Sequence, residues 1–307
     1  MEPTLLVLAA GVGSRYGGVK QIDGVGAHNE TLLDFATYDA KLCGYGKAVY
    51  IIRKDIEKDF RERIFDRVAK NMDAEYVFQT HDAFLTEKER QIAAASGRKK
   101  PWGTVQALLC AGDVLKTPFT VINADDYYGR KAFETMGNYL SNADSLDTQH
   151  AMVGYILQNT MSKSGEVTRG VCEIRNNTLV SMKEHKKIGY EKGGTGIYSM
   201  EGDKKQNLTG NEWVSMNFFG FTLAALPHFQ KFFEDFISLN AGDEKAEALL
   251  PEAANSLVAG GHGTIKVFTS EENWFGMTYP EDREIVKSEI AKKTRQGYYP
   301  EKLWETE

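Results

Sequence analysis

The sequence predicts an α/β fold of three layers, in which a mixed, mostly parallel sheet carries helices on both faces. Two observations predict it. Short apolar runs alternate with segments of helical period through the first half of the chain, which is typical of βαβ units and a parallel sheet. The second half changes character and contains a hairpin signal, which adds antiparallel strands. In such a sheet, ligands bind beyond the carboxyl ends of the strands.

The first element is an apolar run at Leu5 to Leu8, short enough for a buried strand, and the next is a helix from Thr31 that ends before Gly44. Farther along, apolar residues recur at helical spacing from Ile56 to Val68 and so share one helix face. For the first half we predict strands at 5–8, 48–52, 76–78 and 119–122 and helices at 31–42, 56–68 and 103–115.

In the second half, Asn176 and Asn177 separate two strand-like runs and predict a tight hairpin turn. We predict strands at 170–174, 179–182, 216–223 and 264–268 and helices at 226–239, 244–258 and 280–290. The polar segments 86–100 and 189–210 are interpreted as loops, either lids or ordinary solvated loops. Because neither a repeat nor a linker-like break is present, we predict one domain over residues 1–307, with halves 1–150 and 151–307.

Composition excludes several classes of protein. The 307 residues are 42% hydrophobic and 26% charged, which are ordinary globular values, and the net charge of −6 provides no basic field for a nucleic acid. Cys43, Cys110 and Cys172 are odd in number and form no C-x-x-C pair, which argues against a disulfide framework and a cysteine zinc site. No apolar stretch approaches the roughly 18 residues of a membrane span. We therefore expect a cytoplasmic protein without a nucleic-acid or membrane partner.

The most informative segment is the glycine-rich loop after the first strand, which carries Gly11, Gly13, Arg15 and Lys20. Glycines let backbone N–H groups approach phosphate oxygens, and the two cations balance the charge of a triphosphate. Two commoner phosphate loops do not fit. The G-x-G-x-x-G fingerprint would need glycine where Tyr16 stands, and the Walker lysine would come one residue before Lys20.

The surviving pattern, L-A-A-G-x-G-S-R followed by a lysine, resembles the start of the nucleotidyltransferases that make NDP-sugars from an NTP and a sugar 1-phosphate. The resemblance implies a nucleotide-diphospho-sugar transferase-like, Rossmann-like fold and a Mg²⁺-dependent transfer that releases pyrophosphate. It assigns Arg15 and Lys20 to catalysis and Ala10, Gly11 and Gly13 to nucleotide binding. Residues 1–150 then form the nucleotide half and residues 151–307 the acceptor half.

Two carboxylates, Asp125 and Asp126, come directly after the predicted strand at 119–122, at the sheet edge that faces the loop. Mg²⁺ prefers one or two carboxylates together with phosphate oxygens and waters. The resemblance assigns the metal, and with it a catalytic role, to Asp125. Asp126 either orients Asp125 or caps the following turn.

Base recognition is expected at Gln79 and Gly103. Gln79 ends the strand at 76–78, where the uridylyl- and thymidylyltransferases of the family carry a glutamine on the pyrimidine, and Gly103 matches the glycine that lies against the base. A glutamine can accept from uracil N3–H and donate to O4. UTP or dTTP is therefore favoured, with CTP possible through the opposite amide orientation.

For the acceptor, the resemblance points to Gly170 under the sugar ring and to Glu184 on a hydroxyl, with Asn217 as a further polar candidate. The family often follows that glutamate with a lysine for the phosphate, whereas His185 stands here, so Lys183 or Lys186 would have to substitute.

A second departure concerns the metal. The family commonly presents a second aspartate in W-x-D-x-G-T, and Gly276 takes its place here. Either one carboxylate suffices or another, such as Asp282, contributes. The histidines form no zinc-binding spacing.

Other functions remain open at this point. The closest alternative is a CTP-dependent cytidylyltransferase for phosphocholine or a related phospho-alcohol, since Trp102, Tyr127, Tyr128, Trp213 and Trp274 are enough to build an aromatic cage for a quaternary ammonium. A glycosyltransferase would use a D-x-D spacing, which Asp125 and Asp126 lack. A non-catalytic nucleotide sensor would explain the missing second aspartate. The sequence identifies neither the acceptor nor the oligomeric state.

Overall fold

A computed structural model describes residues 1–11, 23–162, 164–191, 193–194, 196–277 and 279–304. Its strands are β1 (Thr4–Leu8), β2 (Lys47–Ile52), β3 (Asp73–Phe78), β4 (Phe119–Asn123), β5 (Asp126–Tyr127), β6 (Gln149–Ile156), β7 (Val167–Arg175), β8 (Thr178–Tyr190), β9 (Ile197–Glu201), β10 (Lys204–Leu208), β11 (Trp213–Phe221), β12 (Thr264–Ser270) and β13 (Phe275–Gly276). Its α-helices are α1 (Leu32–Leu42), α2 (Glu57–Phe60), α3 (Asp66–Val68), α4 (Glu87–Ala95), α5 (Thr104–Cys110), α6 (Arg130–Ser141), α7 (Ala225–Asn240), α8 (Leu250–Ala259) and α9 (Asp282–Arg295).

One large mixed sheet has the strand order β10-β9-β8-β12-β6-β11-β4-β1-β2-β3, with β7 against both β8 and β11. In the first half β3, β2, β1 and β4 are all parallel. β11 is antiparallel to β4 and to β6, and β6 is parallel to β12. The parallel strands predicted from the βαβ alternation are those of the first half, and the second half adds the antiparallel strands together with one further parallel pair, β6 with β12.

The sheet separates two hydrophobic cores, as β1 illustrates. Alternate side chains of a strand point to opposite faces, so Leu5 and Val7 pack with α1, α6 and α9, while Leu6 and Leu8 pack with α5, α7 and α8. All four side chains are buried. Both faces of the sheet are thus covered by helices, which explains why β1 reads as a continuous apolar run. No described helix combines the length and apolarity that a membrane crossing needs.

The hairpin predicted at Asn176 and Asn177 is confirmed. Both residues have positive φ, at +51° and +58°, which a two-residue turn of type I′ requires and asparagine tolerates. Thr31 caps α1, since its hydroxyl accepts from the backbone N–H of Asp34.

Three predictions of secondary structure are wrong. Residues 86–100 contain α4, whose first turn has a capping box of Thr86 and Glu89, a signal that the sequence displays. Residues 189–210 contain the hairpin of β9 and β10. The sequence gives no signal for it, because β10 is largely exposed on both faces and its polar and apolar residues do not alternate. The helix at 244–258 begins only at Leu250, since Pro251 fits the first turn of a helix but not its interior.

Candidate active site

The carboxyl ends of β1, β2, β3 and β4 meet at one edge of the sheet. Leu8 lies opposite Asn123 of β4 and Ile51 of β2, and Ile52 in turn lies opposite Phe78. This register brings to one edge the residues that follow the four strands, namely Gly11, Arg53, Gln79 and Asp125. Ala10 is buried and Gly11 is exposed at the beginning of the loop. Gly13, Arg15 and Lys20 lie outside the described residues.

Arg53 is a candidate site residue that sequence reasoning missed. Its Nε and Nη2 each donate to the Asp55 carboxylate at 2.9 Å. Its Nη1 donates to the carbonyl oxygens of Ala10 and Gly11, both at 3.4 Å. The guanidinium thus ties the beginning of the glycine-rich loop to the end of β2. Its position directly after a buried strand was the only signal that could have identified it.

Gln79 lies at the end of β3 with 7% of its surface exposed. Its Nε2 donates to the carbonyl of Gly103 at 3.0 Å and to Oε1 of Gln106 at 3.2 Å. An amide nitrogen carries two hydrogens, and these two bonds use both. Both amide hydrogens of Gln79 thus bond within the protein, and the expected contact of this side chain with a base stays a prediction.

Gly103 begins α5 with φ of +97°, and a Cβ there would lie 2.6 Å from the carbonyl oxygen of Ala248. The two segments are bonded at this point: Ala248 N–H donates to Trp102 O at 2.7 Å, and Val105 N–H donates to Ala248 O at 3.0 Å. Glycine is thus required by the close approach of another backbone and by its own conformation. This reason is independent of the contact with a base, which stays a prediction.

The loop that carries Gly103 is held by Arg98, whose side chain is almost completely buried. The guanidinium donates to the carbonyl oxygens of Lys100 and Pro101 on its own segment and of Asp243 and Glu244 on the segment before α8, at 2.7 to 3.1 Å. Its Cζ stands 3.5 Å from the centre of the Trp102 ring. Burial lowers the pKa of Arg98.

Asp125 follows β4 and is half-buried, whereas Asp126 is buried. Oδ2 of Asp126 accepts from Nδ2 of Asn123 at 2.9 Å and from the hydroxyl of Tyr128 at 3.1 Å. Oδ1 of Asn123 accepts from Asn217 at 3.3 Å. The predicted acceptor residue Asn217 is thereby joined to the carboxylate edge, which the sequence did not indicate. Its φ of +60° is an unusual conformation of the kind that clusters at functional sites.

Position 276 has no room for the second carboxylate of the family pattern. β13 pairs with β5 so that Gly276 lies opposite Asp126. A Cβ on Gly276 would lie 2.6 Å from Oδ1 of Asp126 and 2.9 Å from the carbonyl oxygen of Asp125. Asp126 therefore occupies the space that a side chain at 276 would enter. Asp282, the alternative considered above, accepts from the Tyr279 N–H and the Ser164 hydroxyl, each at 2.8 Å, at the beginning of α9.

The acceptor candidates lie on neighbouring strands. Gly170 of β7 is directly opposite Glu184 of β8, so the two residues share one face of the sheet. A Cβ on Gly170 would lie 2.9 Å from the sulfur of Met182. Glu184 is exposed, and its carboxylate lies 3.4 Å from Lys186. Burial, and after it the charge of Glu184, raises the pKa of Glu252 on α8, which places both carboxylates in one region.

Of the two lysines predicted to hold the acceptor phosphate, Lys183 pairs with Glu201 at 2.9 Å, and Lys186 is 72% exposed. Nδ1 of His185 lies 3.0 Å from the Ser199 hydroxyl, and burial lowers the pKa of this imidazole. A neutral histidine is a poor substitute for a lysine, so Lys186 fits the phosphate better than His185.

The aromatic residues that suggested a cage do not assemble one. Trp102 is buried in the core that contains α5, while Tyr127, Tyr128 and Trp274 are buried in the opposite core. Tyr127 stacks on Phe275 with ring centres 4.3 Å apart. The observation that motivated the phosphocholine alternative is therefore lost.

The residues at the carboxylate edge fit a magnesium ion. Within the described part of the chain, no three His, Cys, Asp or Glu residues form a metal cluster. Mg²⁺ does not need one, because it usually keeps waters and takes only one or two carboxylates together with substrate phosphates. Asp125, half-buried at the sheet edge with Asp126 behind it, offers that kind of partial ligand set.

No protein-family model and no curated protein matches the sequence. Solved structures match over nearly the whole chain. The inositol-1-phosphate CTP transferase from T. maritima has a TM-score of 0.61 at 14% identity, covering 95% of this chain and 97% of its own. A putative glucose-1-phosphate thymidylyltransferase from Bacillus anthracis, in complex with a sucrose, has a TM-score of 0.62 at 12% identity, covering 94% of each chain.

A UDP-glucose pyrophosphorylase complexed with UDP-glucose has a TM-score of 0.59 at 14% identity and is covered completely, against 95% of this chain. At such identities the likeness concerns the fold. It confirms the α/β class and the nucleotide-diphospho-sugar transferase-like architecture that the sequence predicted.

Proposed function

We propose that this chain is a nucleotidyltransferase that joins an NTP to a sugar 1-phosphate and releases pyrophosphate. The observation that carries the proposal is the convergence of Gly11, where the glycine-rich loop begins, with Gln79 and Asp125 at one sheet edge, which Asn217 links to β11. Ligands of open α/β sheets bind at such an edge. The fold shared with the solved transferases supports the same conclusion.

In the proposed reaction a phosphate oxygen of the acceptor attacks the α-phosphorus of the NTP. A new bond forms between them, the bond from the α-phosphorus to the bridging oxygen breaks, and pyrophosphate leaves in line with its electron pair. No covalent intermediate with the protein is needed. The protein then acts by positioning the reactants and by balancing charge.

Each residue has a defined part in that reaction. Backbone N–H groups of the loop bind the triphosphate, Arg15 and Lys20 neutralise the departing pyrophosphate, and Arg53 holds the beginning of the loop in place. Asp125, with Asp126 behind it, would hold Mg²⁺. When bound, the ion neutralises charge on the α-phosphate and the attacking oxygen.

The acceptor site is proposed at β7 and β8. Gly170 lets the Met182 side chain pack closely against β7, the exposed Glu184 can accept from a sugar hydroxyl, and Lys186 can pair with the phosphate. For the nucleotide we favour UTP or dTTP, because Gln79 at the end of β3 matches the glutamine that uridylyl- and thymidylyltransferases carry on the pyrimidine.

The test is a matrix of UTP, dTTP, CTP, ATP and GTP against a panel of sugar 1-phosphates, inositol 1-phosphate and phosphocholine, with Mg²⁺ and a pyrophosphate readout. We expect release with UTP or dTTP and a sugar 1-phosphate. Release only with CTP and phosphocholine would replace the proposed acceptor class. Tight UTP binding without release from any acceptor would indicate the non-catalytic sensor.

A further inference from the structure

We infer that a small cavity beside α4 binds an organic anion with a compact apolar body, of the class of the aromatic carboxylates. The cavity has a volume of about 240 Å³ and lies between α4, the turn after β3 and the loop before α5. Neither Gln79 nor Asp125 lines it. The inference is therefore independent of the proposed transfer reaction and concerns a second site.

The floor of the cavity is apolar. It is formed by Leu85, Ala93 and Trp102, and all three residues are almost completely buried. Apolar walls favour a ligand that buries hydrocarbon or an aromatic ring. The volume lies below the roughly 300 Å³ at which pockets for drug-sized ligands begin. The ligand is therefore smaller than a nucleotide.

One cation lines the cavity beside this floor. Arg98 is only 6% exposed, and its Cζ stands 3.5 Å from the centre of the Trp102 ring. A guanidinium carries five N–H donors. Four of them are bonded to backbone carbonyl oxygens, and within the described residues the second hydrogen of Nη2 has no acceptor. An anion in the cavity would supply that acceptor.

The charge of Arg98 is also poorly compensated. Among the residues that the structure describes, Arg98 forms no ion pair. The carboxylates of Glu247, Asp243 and Glu244 act on it from beyond that distance, and burial outweighs them, since the pKa of Arg98 is lowered. A buried cation whose partners are neutral oxygens gains more from an approaching anion than an exposed, paired cation does.

The mouth of the cavity, formed by His81, Asp82 and Arg90, is exposed. Arg90 lies 3.7 Å from Glu87, a loose ion pair that leaves its guanidinium able to meet a ligand. Asp82 is the one acidic residue of the lining, and a hydrogen bond with the Thr80 side chain lowers the pKa of its carboxyl. Two arginines against one aspartate give the cavity an excess of positive charge, which favours an anion over a neutral molecule of the same shape.

The first test measures binding to the unmodified protein by ligand-detected NMR with benzoate, benzamide and acetate. Benzamide has the shape of benzoate without its charge, and acetate has the carboxylate without the ring. We expect benzoate to bind with a Kd of about 1 mM or below, and at least about tenfold more tightly than either of the other two probes. Equal binding of benzoate and benzamide, or of benzoate and acetate, would overturn the inference.

The second test locates the bound benzoate with two matched pairs of variants on α4. Ala94→Phe fills the cavity from an exposed position, whereas Ala95→Phe adds the same ring at an exposed position outside the lining. The first should weaken benzoate binding at least about tenfold and the second less than about twofold. Arg90→Gln should weaken it about threefold, while Lys88→Gln, which removes an exposed charge outside the lining, should leave it unchanged.

Both positions that receive a ring are exposed, so the melting temperatures of the two phenylalanine variants should match that of the unmodified protein. Ala94→Leu replaces Ala94→Phe if the larger side chain prevents folding. Benzoate binding that survives in the filled cavity would place the ligand elsewhere, and the inference would fail. None of these measurements uses an NTP or needs turnover, so their result is independent of whether the proposed transfer reaction occurs.

Discussion

The two halves of this molecule hold their candidate site residues in different ways. In the nucleotide half, Gln79 and Gln106 are buried and bonded to backbone groups that accept only one arrangement. In the second half, Glu184 and Lys186 lie on β8 with side chains 32% and 72% exposed and meet in an ion pair of 3.4 Å. The first half thus fixes its candidate residues by buried hydrogen bonds, while the second half carries its candidates on the surface, where substitutions leave the packing intact.

The halves are not independent, because Arg98 joins them. Its guanidinium donates to Lys100 and Pro101, in the loop that carries Gly103, and to Asp243 and Glu244, in a segment of the second half. That segment leads into α8, which packs beside β8 and carries Glu252 toward Glu184. The rigid nucleotide edge is therefore braced by chain from the acceptor half.

The largest expected effect concerns Asp125, the carboxylate that we propose holds Mg²⁺. Asp125→Asn should lower the rate of pyrophosphate release by about a hundredfold to a thousandfold, because a neutral amide loses the charge that binds the metal. The half-buried side chain has room for the isosteric amide, so the melting temperature should not change. Steady-state kinetics with the favoured NTP provide the measurement.

Asp235→Asn is the matched control, since Asp235 lies exposed on α7 and pairs only with the exposed Lys231 at 2.6 Å. It should leave the rate unchanged. If Asp125→Asn retained more than about a third of the normal rate, the carboxylate edge would not be the centre of catalysis.

The difference in packing between the halves is measured by removing one cationic side chain from each half and comparing the loss of unfolding free energy. Arg98→Ala leaves buried carbonyl oxygens without donors and should lower the free energy of unfolding by about 3 kcal/mol. Lys186→Ala removes one end of an exposed ion pair and should change it by less than about 0.5 kcal/mol. Urea denaturation of both variants gives the two values, and similar values would contradict the difference between the halves.

The pH dependence of the unfolding free energy tests how strongly the fold disfavours protonation of His150, at the boundary between the two halves. His150 of β6 is buried, its Nδ1 accepts from the Thr222 N–H at 3.3 Å, and burial lowers its pKa to about 4 from 6.5. Because the unfolded chain binds the proton more readily, the loss of stability is absent above pH 6.5, grows as the pH falls through 6.5, and levels off below pH 4. Between pH 7 and pH 5 it should reach about 2 kcal/mol.

His150→Asn keeps an acceptor for the Thr222 N–H but does not titrate in this range. The difference in unfolding free energy between pH 7 and pH 5 should therefore be about 2 kcal/mol smaller in the variant. The other titratable groups are the same in the unmodified protein and in the variant, so their contributions to the pH dependence cancel. An identical pH dependence would show that the imidazole is protonated in the folded state as easily as in the unfolded one.

The smallest effect is expected in the acceptor half. Glu184→Gln retains a hydrogen-bonding side chain but weakens the acceptor for a sugar hydroxyl, so KM for the sugar 1-phosphate should rise by about tenfold, while KM for the NTP stays constant. Glu173→Gln, on the neighbouring strand β7 and exposed, is the control. A rise in KM for the NTP instead would move Glu184 out of the acceptor site.

Much of the fold was readable because its signals are local. The apolar run of β1, the Asn176 and Asn177 turn and the helical spacing after Ile56 each depend on neighbouring residues, and each prediction is confirmed. The segments that were misjudged lack such signals or were judged on polarity alone. β10 has exposed side chains on both faces, and α4 is a polar helix whose one local signal is its capping box.

The sequence by itself determined that a strand, a glycine-rich loop and paired carboxylates would share one sheet edge, because strand alternation fixes where the carboxyl ends of parallel strands lie. Only the tertiary structure decided that Gln106 bonds to Gln79, that Asp126 fills the space beside Gly276, and that Arg98 joins the halves. The physical reason is distance along the chain. Hydrogen-bond direction and steric exclusion depend on atoms from segments far apart in sequence, and no local pattern encodes them.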